Sequence, residues 1–505
     1  MEVINTFMTW IFKNRIGQIE KFKNNPLEIQ HEILFKLIYT ARDTGFGKKH
    51  HFRQISSYND FNRWVPIHDY EAMMPYIEQT MKGEQNVIWP TPIHWFSKSS
   101  GTTSSRSKFI PVSPESLEEC HFKGGKDMLS LYVTNYPNTK LFTGKSLTIG
   151  GSLQTNPLDY NKSSSYGDIS AVIMRNLPKW AQLARTPSLE VALMSEWEEK
   201  IEKMAEQTID ENVTSLTGVP TWTLVLIKKV LEKTGRTNII EIWPNLEVFF
   251  HGAVAFGPYR NLFQQLVPSD DMHYMETYNA SEGFFGIQDQ TDSDELLLML
   301  DYGVFYEFIP MEDLEAEHPT VIPLDAVKTG KNYAMLITTN AGLWRYKIGD
   351  TVKFTSTRPY RFKISGRTKH FINAFGEELI VENAEKAIEN TCKITGASIS
   401  NFTAAPVYVG DNQQQGTHEW IIEFVHFPKD REAFVRILDE ELRAANSDYD
   451  AKRYRDMVLK LPIVHLVEEG LFEKWLKSKG KLGGQNKVPR LSNNRDYLDE
   501  IVRLL

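Results

Sequence analysis

A hydroxyl-rich segment at residues 97–108 carries the clearest chemical signal in the chain. Every residue from 99 to 105 except Gly101 bears a hydroxyl group, and the segment ends with Arg106 and Lys108. Backbone N–H groups in a tight turn bind anions, hydroxyls add donors, and a lysine adds positive charge. The segment therefore predicts a phosphate-binding loop, although it lacks the Gly-Lys-Ser/Thr ending of a Walker loop.

The residues on either side of this loop predict how it is held. Runs of serine, threonine and glycine are also typical of plain surface turns and linkers. Here the apolar residues 93–96 and 109–112 flank the loop and have the character of β-strands. We therefore expect the loop to be the tip of a buried hairpin.

Two further segments place a single carboxylate beside a glycine. In residues 276–283, Glu282 suits a magnesium ion whose other ligands are phosphates and water, and Tyr278 offers a flat face to a purine. Residues 338–350 end in Gly-Asp, and the Asp350 carboxylate can accept both hydroxyls of a ribose. The alternative is an ordinary strand and turn in each case, with Arg345 on a solvated strand face.

Two glycine-containing segments lie nearer the C-terminus. Gly366 and Arg367 form a short polar joint, which permits a smaller domain to swing. Gly483 and Gly484 precede Lys487, and a lysine on a mobile loop can neutralise charge that develops between a carboxylate and a phosphorus atom. A basic β-turn and a solvent-exposed tail are the alternative interpretations.

The elements that must position these residues predict a two-domain α/β protein. Helices alternate with buried strands up to residue 250, strands dominate from Leu296, and an α+β pattern follows Gly366. We expect a large N-terminal domain, residues 1–365, with layered α/β sheets and a β-barrel-like part. A small, mobile α+β C-terminal domain should cover residues 366–505, since a chain this long usually forms more than one core.

Composition narrows the compartment and the partners. The net charge of -8 disfavours a general nucleic-acid or anionic-membrane binder. Cys120 and Cys392 show neither disulfide nor zinc spacing, no apolar run approaches the ~20 residues of a membrane span, and no basic leader precedes the first apolar residues. We therefore expect a cytoplasmic protein with no nucleic-acid or membrane partner.

Together and in this order, the five segments resemble those of the adenylate-forming superfamily of acyl-CoA synthetases, peptide-synthetase adenylation domains and luciferases. Within it they are most similar to the acyl acid amido synthetases of the auxin-conjugating, Gretchen Hagen type. Residues 216–222, 242–246 and 446–472 add to this similarity. Ser105 departs from the glycine usual in that family, and Lys369 from an aspartate common in the superfamily.

The resemblance implies a site for ATP and Mg²⁺. The loop would hold the β- and γ-phosphates, residues 251–253 with Tyr278 and Asn279 would line the adenine pocket, and Asp350 and Arg367 would meet the ribose. Lys487 and Glu282 would be catalytic, with Glu282 also the metal ligand. The implied nucleotide-binding residues are Ser99, Ser100, Gly101, Thr102, Thr103, Lys108, His251, Gly252, Ala253, Tyr278, Asn279, Ser281, Asp350 and Arg367.

The activity implied by the resemblance is an ATP-dependent ligation. A small-molecule carboxylic acid would be converted to an acyl-AMP, and its acyl group would pass to the amine of an amino acid. The alternative is thioester formation with coenzyme A through the same acyl-AMP. A nucleotide-binding regulator without turnover would not need Glu282, Asp350 and Lys487 together, and an interaction scaffold would leave the five segments unexplained. No particular oligomeric state is predicted.

Overall fold

The computed structural model describes residues 2–13, 15–99, 108–159, 163–253, 256–314, 316–368, 371–377, 379–408, 415–479, 488 and 490–505. A π-helical segment, Leu117–Phe122, joins the seventh helix to the eighth. Helices α1 to α19 are Glu2–Lys13, Ile16–Asn24, Pro26–Ala41, Gly45–Lys49, Tyr58–Trp64, Tyr70–Met81, Pro114–Ser116, Lys123–Asn135, Ile169–Asn176, Lys179–Leu183, Leu189–Ala192, Trp197–Thr208, Pro220–Thr234, Gly257–Leu266, Val381–Thr395, Arg431–Ala445, Ser447–Arg453, Leu471–Ser478 and Asp496–Val502.

The strands form one large sheet, two smaller sheets and a two-stranded ribbon. Strands β1 to β21 are Trp95–Ser99, Lys108–Val112, Lys145–Thr148, Leu153–Thr155, Ser165–Gly167, Arg185–Thr186, Val213–Gly218, Val248–Gly252, His273–Ala280, Gly283–Ile287, Leu296–Leu298, Val304–Pro310, Ile322–Pro323, Asn332–Thr339, Tyr346–Thr357, Tyr360–Arg367, Phe371–Ile372, Leu379–Ile380, Ser398–Val407, Thr417–His426 and Ile463–Glu468.

The large sheet has 12 strands in the order β13-β12-β14-β15-β16-β11-β10-β9-β8-β7-β3-β6. Strands β6, β3, β7, β8 and β9 are parallel, and the remaining pairs are antiparallel. The expected mixed α/β fold is confirmed. The part expected to be barrel-like takes the form of the antiparallel half of this sheet, with β13 at its edge.

Because neighbouring parallel strands point the same way, β3, β7, β8 and β9 all end at one edge of the sheet. Helix α13 follows β7 directly at this edge. It begins with Pro220, whose fixed φ suits a first helical turn, and it ends at Gly235 in the left-handed conformation with φ 66°. Ligands of α/β sheets bind outside this carboxyl edge.

The hairpin predicted around the hydroxyl-rich loop is confirmed. Strands β1 and β2 pair antiparallel, with Ser99 opposite Lys108 at the end that bears the loop. Phe96 and Ile110 are buried, and β1 also pairs with β5 in a four-stranded sheet. This packing on both strands holds the base of the loop rigidly.

The C-terminal region is built on the three-stranded sheet β19-β20-β21, with α15 and α16 packed together beside it. Its core includes Phe402, Trp420 and Leu442, all buried. The joint residues Gly366 and Arg367 lie at the end of β16. Among the helices within the described ranges, none combines the length and hydropathy needed to cross a membrane.

Arg345 lies in the interior, which overturns the solvated strand face considered from the sequence. Its backbone is left-handed, with φ 43°. Its Nε donates to Glu307 Oε2 at 3.0 Å, with side-chain exposures of 3% and 1% for the two residues. Its Nη1 also donates to the Val65 carbonyl at 2.8 Å. The ion pair joins the β14–β15 connection to β12 and to the N-terminal helices.

We expect Arg345→Met to lower the free energy of unfolding by about 3–5 kcal/mol, because the substitution leaves the Glu307 carboxylate buried without its partner. Urea denaturation would measure the change. The control is Arg53→Met, which breaks an ion pair with Asp43 whose side chains are 70% and 48% exposed and should change stability little. Equal losses in both variants would contradict the role given to the buried pair.

Candidate active site

The β1–β2 hairpin and the Glu282 turn meet directly. Ser97 of β1 donates its hydroxyl to the Ser281 hydroxyl oxygen at 2.8 Å, across 184 residues of sequence. Ser281 and Glu282 form the turn between β9 and β10, two antiparallel neighbours in the large sheet. The base of the β1–β2 hairpin and the candidate magnesium ligand therefore share one corner of the molecule.

The ribose candidate joins the same corner through Tyr278. The Tyr278 hydroxyl donates a short hydrogen bond to Asp350 Oδ2, and each residue is only 6% exposed. The Tyr278 ring packs edge-on against Phe285 and Phe362, with centroids 5.0 and 6.2 Å apart. Tyr278 thus holds the Asp350 carboxylate in a fixed orientation.

Glu282 also lies near the third segment. Burial raises the pKa of Tyr346 far above its usual range, and the nearby Glu282 carboxylate raises it further. Tyr346 belongs to β15, the strand that carries Asp350 four residues later. Glu282 is therefore close to Tyr346, and Asp350 lies four residues further along the same strand.

The end of β8 runs close beside β9. Gly252 pairs with Thr277, and a Cβ atom at Gly252 would lie 2.3 Å from the Thr277 carbonyl oxygen. No larger residue fits there, and the next residue, Ala253, has a left-handed φ of 69°. The backbone therefore turns sharply at the carboxyl edge, where residues 251–253 were expected to face adenine.

The His251 side chain is enclosed by aromatic residues. Its ring stacks on Phe256 with centroids 4.2 Å apart, and burial lowers its pKa to about 3. Its partner in register on β9 is Glu276, whose pKa burial raises to about 7. His251 is neutral and packs in the core, so backbone atoms are what residues 251–253 present at the edge.

Arg367 and the joint sit beside the ribose candidate. Arg367 pairs with Asp350 in the β15–β16 register, and the Thr368 N–H donates to the Gly349 carbonyl at 2.8 Å. The chain therefore leaves the large sheet next to Asp350. A hinge at this point would move the C-terminal region relative to the nucleotide candidates.

Lys108 lies at the base of the hydroxyl-rich loop. It is 4% exposed, and its ammonium lies 5.7 Å from the centre of the Tyr70 ring. The Tyr70 hydroxyl accepts the Phe109 N–H at 2.8 Å, which fixes the tyrosine beside β2. The lysine is thus held at the strand end that bears the loop.

Tyr278 and Asn279 point to opposite faces of β9, as consecutive strand residues must. Tyr278 faces Asp350, whereas Asn279 Oδ1 lies 3.0 Å from Nδ1 of His121 in the π-helical segment. The two side chains therefore cannot line the same face of one base. Motif analysis missed His121, because nothing in its local spacing marks it. Ser97 lies in the hydroxyl-rich segment, but its pairing with Ser281 was not predicted.

Several of the expected residues lie outside the described ranges. These are Ser100, Gly101, Thr102, Thr103 and Lys487. Within the described ranges, no group of three or more His, Cys, Asp or Glu side chains is arranged to hold a metal ion. A magnesium ion bound largely through substrate phosphates needs only one or two protein carboxylates, so Glu282 fits such an ion.

The buried histidines make a prediction about pH. Burial lowers the pKa of His68 and His121 to about 4 and that of His251 to about 3. The unfolded chain takes up these protons near pH 6.5, so their contribution to stability is complete above that pH and is lost as the pH falls toward 4. Between pH 6.5 and pH 4, each histidine should lower the free energy of unfolding by roughly 1.4 kcal/mol per pH unit.

Thermal denaturation between pH 8 and pH 5 at constant ionic strength would measure this loss. His68→Gln should make the decline of the thermal midpoint with falling pH less steep, because the unfolded variant takes up one proton fewer. His318→Gln is the matched control at an exposed position and should leave the slope unchanged. A midpoint that stays level down to pH 5 in the unmodified protein would contradict the prediction.

The β1–β2 hairpin, the Glu282 turn and the buried Asp350 lie together on a mixed α/β fold of the adenylate-forming class. Family models identify the family within that class. The GH3 family N-terminal domain matches residues 15–272, the central domain 297–367 and the C-terminal domain 382–496. The chain belongs to the GH3 family.

Characterised relatives span nearly the whole chain. Indole-3-acetic acid-amido synthetase GH3.4 of Arabidopsis thaliana is 23% identical, over 96% of this chain and 92% of that protein. The 4-substituted benzoates-glutamate ligase GH3.12 of Arabidopsis thaliana is also 23% identical, over 94% of each chain. These relatives confirm the predicted family and the predicted class of enzyme, an amide-forming ligase.

Solved structures share the fold. The AtGH3.15 acyl acid amido synthetase in complex with 2,4-DB superposes with a TM-score of 0.63 at 17% identity, covering 97% of this chain and 96% of that one. A 2-hydroxyisobutyryl-CoA ligase in complex with 2-HIB-AMP and CoA gives 0.56 at 12% identity, covering 94% and 91%. Both amide-forming and thioester-forming enzymes are therefore built on this fold.

Proposed function

We propose that this protein is an ATP-dependent ligase that adenylates a carboxylic acid and transfers the acyl group to the amine of an amino acid. The observation that carries the proposal is the Ser97–Ser281 hydrogen bond, which joins the β1–β2 hairpin to the Glu282 turn. The contact of Tyr278 with Asp350 adds the ribose candidate. Relatives named as amido synthetases and a glutamate ligase support an amine acceptor over coenzyme A.

In this proposal the nucleotide lies along the carboxyl edge of the sheet. The loop that begins at Ser99, with Lys108 at its base, binds the phosphates, and the Asp350 carboxylate accepts the ribose hydroxyls beside Arg367. The backbone of residues 251–253 and the Tyr278 side chain form the walls of the adenine pocket. Most of these groups sit on strand ends held by the large sheet, so the site is organised before ATP binds.

The chemical problem is that a carboxylate is a poor electrophile. One carboxylate oxygen forms a bond to the α-phosphorus, the bond from that phosphorus to the β-phosphate oxygen breaks, and pyrophosphate leaves with the electron pair. The acceptor amine then attacks the acyl carbon, AMP leaves with the electron pair of the broken C–O bond, and the nitrogen releases a proton to solvent. Negative charge spreads over phosphate oxygens in the first step, so the loop donors and Lys487 stabilise it by position and field.

Magnesium belongs to the proposal as a bound ion at Glu282. The oxygen ligands of Glu282 and the substrate phosphates suit it, and when bound it would neutralise charge on the phosphates. Among the described residues, the turn at Ser281–Glu282 also brings a hydroxyl next to that carboxylate.

We also propose a division between residues 1–365 and 366–505, with a hinge at the joint. Gly366 and Arg367 end strand β16 in the antiparallel half of the sheet, and Arg367 pairs with Asp350, so a rotation there would change what faces the nucleotide. A reducing cytoplasmic setting is part of the same proposal. Cys120 and Cys392 are both free thiols, which fits that setting.

The test incubates the protein with ATP, magnesium, a panel of carboxylic acids and either amino acids or coenzyme A. The panel includes indole-3-acetate, 4-hydroxybenzoate, 2,4-DB and 2-hydroxyisobutyrate. We expect AMP and an N-acyl amino acid, both identified by mass spectrometry, and both formed about 10²–10³-fold more slowly with Lys487→Ala. AMP that forms with coenzyme A but never with an amine would show that the acceptor is wrong.

A further inference from the structure

The π-helical segment Leu117–Phe122 packs directly on the turn that carries Glu282. The Phe284 N–H donates to the Cys120 sulfur at 3.1 Å. A Cβ atom at Gly124, just after the segment, would lie 2.6 Å from the Phe284 ring. Single-turn π-helical insertions are costly and occur often at functional sites. Here the insertion places one particular side chain, His121, beneath β9.

His121 holds the side-chain amide of Asn279. Its Nδ1 lies 3.0 Å from Asn279 Oδ1, and His121 is 4% exposed. Burial lowers the pKa of His121 to about 4, so the imidazole is neutral at physiological pH. An amide oxygen only accepts, so Nδ1 must carry the proton and donate it. The Asn279 oxygen is thereby occupied, and the amide presents its NH₂ group to the partly exposed side.

Three groups of residues lie at different positions around β9. Tyr278 and Asp350 occupy one face, where the ribose is proposed to bind. The turn at Ser281, bonded to Ser97, is the phosphate end. Asn279 and His121 occupy the opposite face. A carboxylic acid that attacks the α-phosphorus in line must approach from the side away from the leaving pyrophosphate. The Asn279 amide lies near the end of β9 and is bonded to His121, not to Tyr278 or Ser281.

We propose that the Asn279 amide donates a hydrogen bond to the carboxylate of the acid substrate, and that His121 is a positioning residue that keeps the amide in the donating orientation. The inference rests on the proposed function and adds a binding group for the acid. One carboxylate oxygen bonds to the α-phosphorus as pyrophosphate leaves, and Asn279 NH₂ steadies the other. No proton moves in this step, so a neutral His121 suffices.

The experiment measures pyrophosphate release with the panel acid that gives the highest rate, and varies acid and ATP separately. His121→Leu and Asn279→Leu should each raise KM for the acid about tenfold, the loss expected for one hydrogen bond to a charged group. KM for ATP should stay within about twofold, since neither side chain faces the nucleotide. Asn279→Asp, which sets a negative charge against the acid, should cost about 100-fold in kcat/KM for the acid.

His121→Asn is the matched control, because its Nδ2 amide stands where the imidazole Nδ1 stands and can still donate. It should restore KM for the acid to near the unmodified value. The double variant His121→Leu/Asn279→Leu should be no worse than Asn279→Leu alone. Thermal denaturation of each variant would separate a positioning effect from a loss of folded protein.

The outcomes are distinct. If KM for ATP rises as much as KM for the acid, Asn279 contacts the nucleotide and the inference is wrong. If His121→Asn is as impaired as His121→Leu although both are folded, the donor role of His121 is wrong. If the unmodified protein adenylates no acid of the panel, the proposed function itself fails and this inference falls with it.

Discussion

Replacing Lys487 with alanine is expected to slow acyl-AMP formation by a factor of about 10²–10³ while ATP affinity changes little. The lysine is proposed to act on charge that develops between the carboxylate and the α-phosphorus, and that charge is larger in the transition state than in bound ATP. An interaction made mainly in the transition state affects kcat more than binding. Pyrophosphate release and equilibrium binding of ATP would measure the two quantities.

Lys481→Ala is the matched control for this prediction. It removes a lysine from the same glycine-containing segment, six residues before Lys487. If general positive charge were sufficient, both variants would lose similar activity. Equal losses of ATP affinity and adenylation rate in Lys487→Ala would instead place the lysine on the ground-state nucleotide, and the role proposed here would be abandoned.

The second large effect concerns the carboxylate at the β9–β10 turn. Glu282→Gln should lower adenylation by about 10²-fold and raise the magnesium concentration needed for half-maximal rate, because a neutral amide is a much weaker ligand for a hard cation. The substitution preserves size and the short β9–β10 connection. A magnesium titration of pyrophosphate release, with and without chelator, would measure both changes.

Glu312→Gln controls for a general loss of negative charge. Glu312 is 61% exposed and pairs with Lys331, itself 58% exposed, so its replacement should leave the magnesium dependence unchanged. A Glu282→Gln protein that loses activity with an unaltered magnesium dependence would speak against metal binding. It would leave the carboxylate a structural part of the turn that carries Ser281.

Much of the fold follows from short-range patterns. Strands β1 and β2 flank the hydroxyl-rich loop as predicted, strands β11 to β16 dominate from Leu296, and both helices and strands follow Gly366. Arg345 shows where such patterns stop. Its neighbours have the alternation of an exposed strand edge, yet a left-handed turn directs the side chain to Glu307. Charge and local spacing do not encode a partner that lies 38 residues away.

The sequence by itself determined the family and, through that resemblance, the class of reaction, because each segment that carries the resemblance is short and continuous in the chain. The arrangement of those groups depends on contacts between distant segments. The Ser97–Ser281 and His121–Asn279 hydrogen bonds span 184 and 158 residues. Consecutive residues of β9 also face opposite sides, so Tyr278 and Asn279 acquire different neighbours only when sheet and helices pack around that strand.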